Sequence, residues 1–304
     1  MRPGRGTAAG PVIAGIGDDA SVLRVPAGHE ILVTTDFSLE GVHFRREWHS
    51  PEVVGHRCLA RGLSDIAAMG GEPIAAFLSL ALPGKLQQGW VDGFLRGLLR
   101  LARRFSVQLA GGDTAQSPDG ILADIVVLGS IPKGQAILRS EARPGDRIYV
   151  TGELGSSAAA LEMLYSGRKP GAGLYRRHAT PEPRIEVGKI LGKRQLAAAM
   201  IDLSDGLSTD LAHICEESAV GAEIMEQSIP RANLGRGTRA SLKYALHGGE
   251  DYELLFTSAT QVPSKIAGVR ITEIGRITRA RKITLLSHSG SRQELRAAGW
   301  EHFR

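Results

Sequence analysis

Residues 107–131 read VQLAGGDTAQSPDGILADIVVLGSI. Two apolar runs, Val107–Ala110 and Ile121–Ile131, read as strands, and no helical pattern stands between them. A strictly doubly wound fold would place a helix there, so this stretch favours an α+β class with mixed sheets flanked by helices. Upstream the elements do alternate. Ile31–Thr35 (ILVTT) is a β-branched strand, and Ser50-Pro51-Glu52 pairs a capping serine with proline at the first helical position. That helix is expected to reach about Met69, with Leu59, Leu63 and Ile66 along one face. Ile74–Leu82 reads as a buried strand. Trp90, Phe94, Leu98, Leu101 and Phe105 then mark an amphipathic helix.

Downstream, residues 132–146 (PKGQAILRSEARPGD) are rich in turn formers and charge. A domain boundary is expected there, giving an N-terminal α/β domain over 1–134 and a C-terminal α+β domain over 135–304. The second half reads as a strand at Arg147–Thr151, a helix at Ser156–Tyr165, and a strand at Ala197–Asp202. Leu207, Leu211 and Ile214 mark a helix. Strands follow at Tyr252–Phe256, Ile271–Ile277 and Lys282–Leu286.

The chain has 304 residues, 42% of them apolar and 23% charged, which excludes a disordered tail, a collagen-like chain and a disulfide scaffold. Its length suggests two domains at roughly 100–200 residues each. No apolar run approaches the roughly 18 residues of a membrane span, because Asp124 interrupts the best candidate. No apolar segment follows Arg2 and Arg5 as a signal peptide would require. Cys58 and Cys215 form no CxxC pair and read as reduced, packed thiols. The expected compartment is the cytoplasm. The net charge of +5 is spread over scattered arginine pairs without interleaved aromatics, so no nucleic acid and no membrane are expected as partners. An anionic small molecule suits the excess of positive charge.

The acids carry the chemistry. Asp18-Asp19 follow Gly15-Ile-Gly17, Asp36 ends LVTTD, and Asp65 lies in the helix LSDIAAMGG. Asp113 ends QLAGGD, Asp202 and Asp205 lie in IDLSDG, and Glu250, Asp251 and Glu253 lie in HGGEDYELLF. Acids beside Gly, Ser or Thr at the ends of apolar segments stand where α/β-type folds bind ligands. Two like charges 4 Å apart repel by about 4 kcal/mol at an effective dielectric of about 20, so converging acids need protons or divalent cations. All-oxygen ligands select Mg²⁺ or Mn²⁺ over zinc. There is no HExxH, no GxSxG and no GxxxxGK[ST]. Residues 15–20 (GIGDDA) match a loose GxGxxA pattern, but two carboxylates would occupy the pyrophosphate position. Phosphoryl transfer through metals, glycine amides and single arginines such as Arg139 is the chemistry this set suits. An acceptor that is itself a phosphate has a second pKa of about 6, so it needs no general base.

GIGDDASVL (15–23), TTDFSLEGVHF (34–44), LSDIAAMGGEP (63–73), AGGDT (110–114), RPGDRIYVTGELGSSAAAL (143–161), IDLSDGLSTDL (201–211) and HGGEDYELLF (247–256) resemble, in this order, the thiamine-monophosphate kinase family of the aminoimidazole-ribonucleotide-synthetase superfamily. The resemblance implies a two-domain fold that makes thiamine diphosphate from thiamine monophosphate and ATP with several Mg²⁺ ions. It also implies a homodimer formed through N-terminal domains. It assigns Asp19, Thr34, Thr35, Asp36, Asp65, Asp113, Asp202 and Asp205 to metal, with Asp202 and Asp205 at the catalytic centre. Gly112, Asp113, Arg139 and Ser204 are implied to contact ATP, and His43, Glu250 and Trp300 the thiamine phosphate. Glu250 would face the thiazolium cation or the aminopyrimidine, Trp300 would offer a flat aromatic face, and His43 could donate to the phosphate. Val42 and Gly62 stand where the family often has asparagine, and the 14 residues before Gly15 are fewer than its usual N-terminal arm. Two alternatives remain at this level: another ATP-using member of the superfamily, or a nucleotide-binding regulator without turnover. The absence of a cysteine before Cys58 argues against the selenophosphate-synthetase branch.

Overall fold

The computed structural model describes residues 10–235 and 237–300. These residues divide into two compact units. One comprises the chain up to Ile66 together with Gly71–Gln135, the other Ala67–Gly70 together with the chain from Ala136 onward.

The first unit contains β1 (Val12–Ala14), β2 (Val22–Leu23), β3 (His29–Leu39), α1 (Pro51–Ala68), β4 (Glu72–Pro83), α2 (Gln88–Arg104), β5 (Gln108–Ser117) and β6 (Leu122–Pro132). Its four-stranded sheet runs β3-β6-β4-β5. The β3/β6 and β6/β4 pairs are antiparallel, and β4/β5 is parallel with α2 as the crossover, so the sheet is mixed. β5 and β6 are joined without a helix, as the quoted stretch requires. The Ser50 hydroxyl accepts from the Val53 amide at 3.4 Å and starts α1. Helix packing is glycine-mediated. A Cβ at Gly55 would stand 1.9 Å from the Phe94 carbonyl, and one at Gly97 1.9 Å from that of Glu52, so α1 and α2 meet backbone to backbone. A Cβ at Gly62 would stand 2.6 Å from Val127, which explains glycine where a larger residue would separate α1 from the sheet.

Strand alternation divides this sheet into two faces. Ser38 is buried and Thr34 and Asp36 are half-buried beneath α1, while Ile31, Val33 and Phe37 on the opposite face are 50%, 66% and 55% exposed. The β1/β2 hairpin covers part of this open face, where Val12 and Leu23 pack with Ala75, Phe77 and Leu128.

The second unit contains β7 (Arg147–Thr151), α3 (Ser156–Tyr165), α4 (Ala172–Ala179), α5 (Ile185–Lys193), β8 (Met200–Asp202), α6 (Leu207–Glu217), β9 (Gly221–Met225), β10 (Asn233–Gly235), β11 (Thr238–Arg239) and α7 (Leu242–His247). β12 (Leu254–Ser258), β13 (Lys265–Ile266), β14 (Val269–Thr278), β15 (Ile283–Leu286) and β16 (Arg292–Glu294) complete it. The main sheet runs β16-β15-β9-β14-β7-β12-β8, with β13 attached to β14. Only β9/β15 is parallel. Ile148, Val150, Leu255 and Ile274 from this sheet pack with Leu207, Leu211 and Ile214 of α6 in one apolar core.

Several elements differ from the sequence expectation. β5 does not stop at Asp113 but continues to Ser117, and β3 continues past Asp36 to Leu39. The expected strand from Ala197 is ordered as β8 only over Met200–Asp202. α4 and α5 were not expected at all. Their sequences, AGLYRRHA and IEVGKILGK, span 8 and 9 residues, too few for a helical period to be counted over a window of about 11 residues.

Candidate active site

The first unit collects acids on the α1 side of β3. Thr34 Oγ1 donates to Asp65 Oδ2, and the Asp36 and Asp65 carboxyl groups hydrogen-bond each other. The strand period puts Thr34 and Asp36 on one face, and α1 brings Asp65 above them. Arg61 stands 3.7 Å from Asp36. Burial first, then the charge of Asp65, push the Asp36 pKa up to about 7, against the lowering pull of Arg61. Two carboxylates and a hydroxyl held this closely form an all-oxygen group whose repulsion a divalent cation would relieve as a shared proton does. Among the described residues, no three His, Cys, Asp or Glu side chains stand close enough together to hold a metal ion.

Thr35 points the other way. Its Oγ1 donates to Asp124 Oδ1 at 2.8 Å on the open face. Asp124 and Asp113 are the register partners of Ser79 from its two sides, so β6, β4 and β5 carry an acid–hydroxyl–acid row. Asp124 had been noted only as a charge interrupting an apolar strand. Its even-numbered position, shared with Val126 and Leu128, is the signal that it faces away from α1. Gly112 has φ +146°, and a Cβ there would stand 1.8 Å from the Leu78 carbonyl. Only glycine lets β5 approach β4 beside Asp113. Asp19 lies exposed in the β1–β2 loop, where its amide donates to Asp18 Oδ1 at 3.1 Å. His43 lies in the turn after β3. Its Nδ1 accepts from the Leu39 amide at 3.0 Å, which leaves the ring proton on Nε2 as a donor.

The second unit gathers its candidates on loops. Asp202 ends β8 and is buried, and Ser204 and Asp205 follow in the turn before α6. Glu250 donates its amide to the Ser204 carbonyl at 2.8 Å, Tyr252 to that of Leu203 at 3.0 Å, and Leu203 to that of Glu253 at 2.8 Å. This short ladder locks the turn before α6 to the loop after α7. A Cβ at Gly249 would stand 2.4 Å from the Ser204 carbonyl, and one at Gly206 (φ +112°) 2.9 Å from the His247 backbone. The glycines are there because two loops meet backbone to backbone. Glu250 and Tyr252 themselves sit at φ +64° and +51°. Non-glycine residues hold such angles only where their surroundings over-determine them. Trp300, half exposed, donates its amide to the Asp205 carbonyl at 3.1 Å. Ser204, Asp205, Glu250 and Trp300 are thus brought together.

Buried acids organise these loops. Asp210 Oδ2 accepts from the amides of Asp205 and Gly206 at 3.2 and 3.0 Å. Its pKa is pushed up to about 8, chiefly by burial and then by the Asp205 charge, with Arg139 pulling the other way. The Arg139 carbonyl accepts from Ser218 just beyond the end of α6, and the Arg139 charge is felt at Asp210. Asp251 accepts from the amides of Gly155, Ser156 and Ser157 at 2.6, 3.1 and 3.2 Å and so caps α3. Burial nevertheless pushes its pKa up to about 7. Glu253 pairs with Arg184 through two hydrogen bonds and accepts from Thr151. Asp210 was missed in the sequence, although an acid in the first turn of a helix after Asp-Gly is a recognisable amide acceptor.

The mixed-sheet unit with acids on two faces and the α+β unit that locks acid-bearing loops together each match a known domain. The model of the AIR synthase related protein N-terminal domain matches residues 17–131, and that of its C-terminal domain matches residues 143–286. The chain belongs to this family and, within it, to the thiamine-monophosphate kinases. It is 37% identical to thiamine-monophosphate kinase of Bacillus subtilis strain 168 over 96% of this chain and 94% of the relative. The crystal structure of thiamine-monophosphate kinase from Stenotrophomonas maltophilia K279a superimposes with a TM-score of 0.82 at 34% identity, covering 91% of this chain and 92% of that one. AaThiL complexed with AMPPCP and TMP superimposes with a TM-score of 0.80 at 33% identity, over 92% of this chain and 89% of that one.

Proposed function

We propose that the chain transfers the γ-phosphoryl group of ATP to thiamine monophosphate, giving thiamine diphosphate and ADP by direct in-line displacement with Mg²⁺. The observation that carries this reading is identity of 37% spread over nearly the whole of both chains. Thr34, Asp36 and Asp65 would hold Mg²⁺ on the α1 side of β3, Asp19, Thr35 and Asp113 on its open side, and Asp202 and Asp205 in the second unit. Magnesium is usually bound by one or two carboxylates plus substrate phosphates, which agrees with acids that approach in pairs rather than threes. When bound, the ions would neutralise charge on the transferring phosphoryl group.

The chain's own groups supply position. Ser204, Arg139 and the backbone at Gly112 and Asp113 would hold ATP. Glu250 would meet the positively charged or amino-bearing part of thiamine, and Trp300 its ring face. The Nε2 proton of His43 would reach the acceptor phosphate. That phosphate is largely anionic at neutral pH, so no side chain has to remove a proton from it. We further infer a homodimer built on the open face of β3, where Ile31, Val33 and Phe37 form an exposed apolar stripe. A cytoplasmic setting suits the two buried free thiols, Cys58 and Cys215. No described helix is long and apolar enough to cross a membrane.

The test mixes purified protein with Mg²⁺, ATP and thiamine monophosphate and follows thiamine diphosphate and ADP by chromatography. Both products are expected in equal amounts, and neither without the metal. Asp205→Asn is expected to reduce turnover by at least about 100-fold. Formation of ADP without thiamine diphosphate would refute the acceptor assignment, and wild-type turnover in Asp205→Asn would refute the role of Asp205.

A further inference from the structure

The last described residues run along the first turn of α6. Ala298 donates its amide to Ser208 Oγ at 3.4 Å, Gly299 donates to Thr209 Oγ1 at 3.0 Å, and Trp300 donates to the Asp205 carbonyl at 3.1 Å. A Cβ at Gly299 would stand 2.1 Å from the Asp205 carbonyl and 2.6 Å from Thr209 Oγ1, so glycine lets this segment lie directly on the helix start. Ser208 is fully buried and also meets His247 Nδ1 at 2.8 Å. His247 ends α7, immediately before Gly248-Gly249-Glu250. A hydroxyl that accepts from Ala298 retains its own proton for His247. Two adjacent side chains therefore tie two segments to α6, the end of α7 before the loop that carries Glu250 and the segment that carries Trp300, and the Trp300 amide joins that segment to the Ser204–Asp205 turn.

Trp300 is half exposed, and the backbone bonds of Gly299 and Trp300 fix where its segment meets α6. We propose that Thr209, supported by Ser208, is a positioning residue that seats Trp300 beside Asp205 and thereby sets the affinity for the aromatic phosphate acceptor. The proposal rests on the reading of Trp300 as an acceptor contact. Neither hydroxyl touches substrate; both act through the segment they hold. The turn before α6 has a second anchor of its own, because the Asp205 and Gly206 amides are bound by Asp210.

Steady-state kinetics on four variants of the full chain test this: Thr209→Val, Thr209→Ser, Trp300→Ala and the Thr209→Val/Trp300→Ala double variant. Valine keeps the shape of threonine and removes the acceptor. Thr209→Val is expected to raise KM for thiamine monophosphate about fivefold, the size of one lost hydrogen bond, with kcat and KM for ATP unchanged. Thr209→Ser should restore it. Trp300→Ala should raise the same KM further, and Thr209→Val should add nothing on that background. If Trp300→Ala leaves this KM unchanged, the acceptor reading of Trp300 falls and takes the proposal with it. If Trp300→Ala raises it but Thr209→Val does not, the positioning role alone is overturned. A Thr209→Val variant that loses kcat and both affinities together, with a lowered Tm, would show a purely structural residue and also overturn it.

Discussion

The two units present their acids by opposite means. In the first, Asp36, Asp65, Asp113 and Asp124 stand on regular elements, so strand register and helix packing place them. Asp36 and Asp65 are left in mutual conflict, and Asp36 is pushed towards neutrality. In the second, Asp205, Glu250 and Asp251 stand on loops shaped by glycine contacts, and the buried Asp210, Asp251 and Glu253 are satisfied by backbone amides or by arginine. Asp210 takes the amides of Asp205 and Gly206, Asp251 takes those at the start of α3, and Glu253 takes Arg184. The first unit stores charge that a cation can neutralise. The second stores loop shape.

This contrast can be broken most forcefully at Arg184. Arg184→Met leaves Glu253 buried without its cation and is expected to cost about 3–5 kcal/mol in chemical denaturation. A loss below about 1 kcal/mol would mean that the loop holds its shape without the ion pair. Gly249→Ala places a methyl group against the Ser204 carbonyl and should cost about 1–3 kcal/mol and at least about tenfold in turnover. Unchanged turnover would show that the backbone contact between the two loops is dispensable.

Asp251→Asn sharpens the comparison through pH. Burial raises the pKa of the folded Asp251 carboxyl to about 7, well above the ordinary aspartate value of about 4, so the folded state binds that proton more tightly. Its contribution is complete below about pH 4 and is lost as the pH rises to about 7. The wild type should therefore lose part of its stability across that window, and the Asn variant should lack that part, a difference of roughly 1–2 kcal/mol between pH 5 and pH 8. Parallel pH profiles would show that Asp251 is charged throughout. In the first unit, Asp36→Asn removes one of two conflicting charges. It should raise stability in the absence of metal by about 1 kcal/mol and remove most of the increase in Tm produced by Mg²⁺, both read by thermal denaturation. A variant less stable than the wild type without metal would contradict stored charge at this position. The smallest effect is expected at Ser50→Ala, at about 0.5–1 kcal/mol, because only the start of α1 loses its cap.

Elements with strong periodicity were legible before the structure. α1 and α2 occupy the expected segments, since leucine and phenylalanine spacing records which face is buried. β5 was cut short because Gly111-Gly112-Asp113 reads as a turn. The strand continues since Leu78 leaves no room for a side chain at Gly112. Ser208 and Thr209 gave no comparable signal, because each acts on a segment distant in sequence and no period records such a pairing. Asp210 acts on amides a few residues away, and its place in the first turn of α6 is its only mark in the sequence.

The sequence by itself determined the inventory: which acids and glycines exist, in what order, on which kinds of element, and which family they resemble. Only the tertiary structure decided how they associate. Strand alternation turns Thr34 and Asp36 towards α1 and their neighbour Thr35 towards Asp124. Backbone contacts between residues 46 and 95 positions apart bring Ser204, Asp205, Glu250 and Trp300 into one place. The physical reason is that composition and local pattern set which groups can be charged or bend the chain, whereas hydrogen-bond register and close packing act between segments that the order of residues keeps apart.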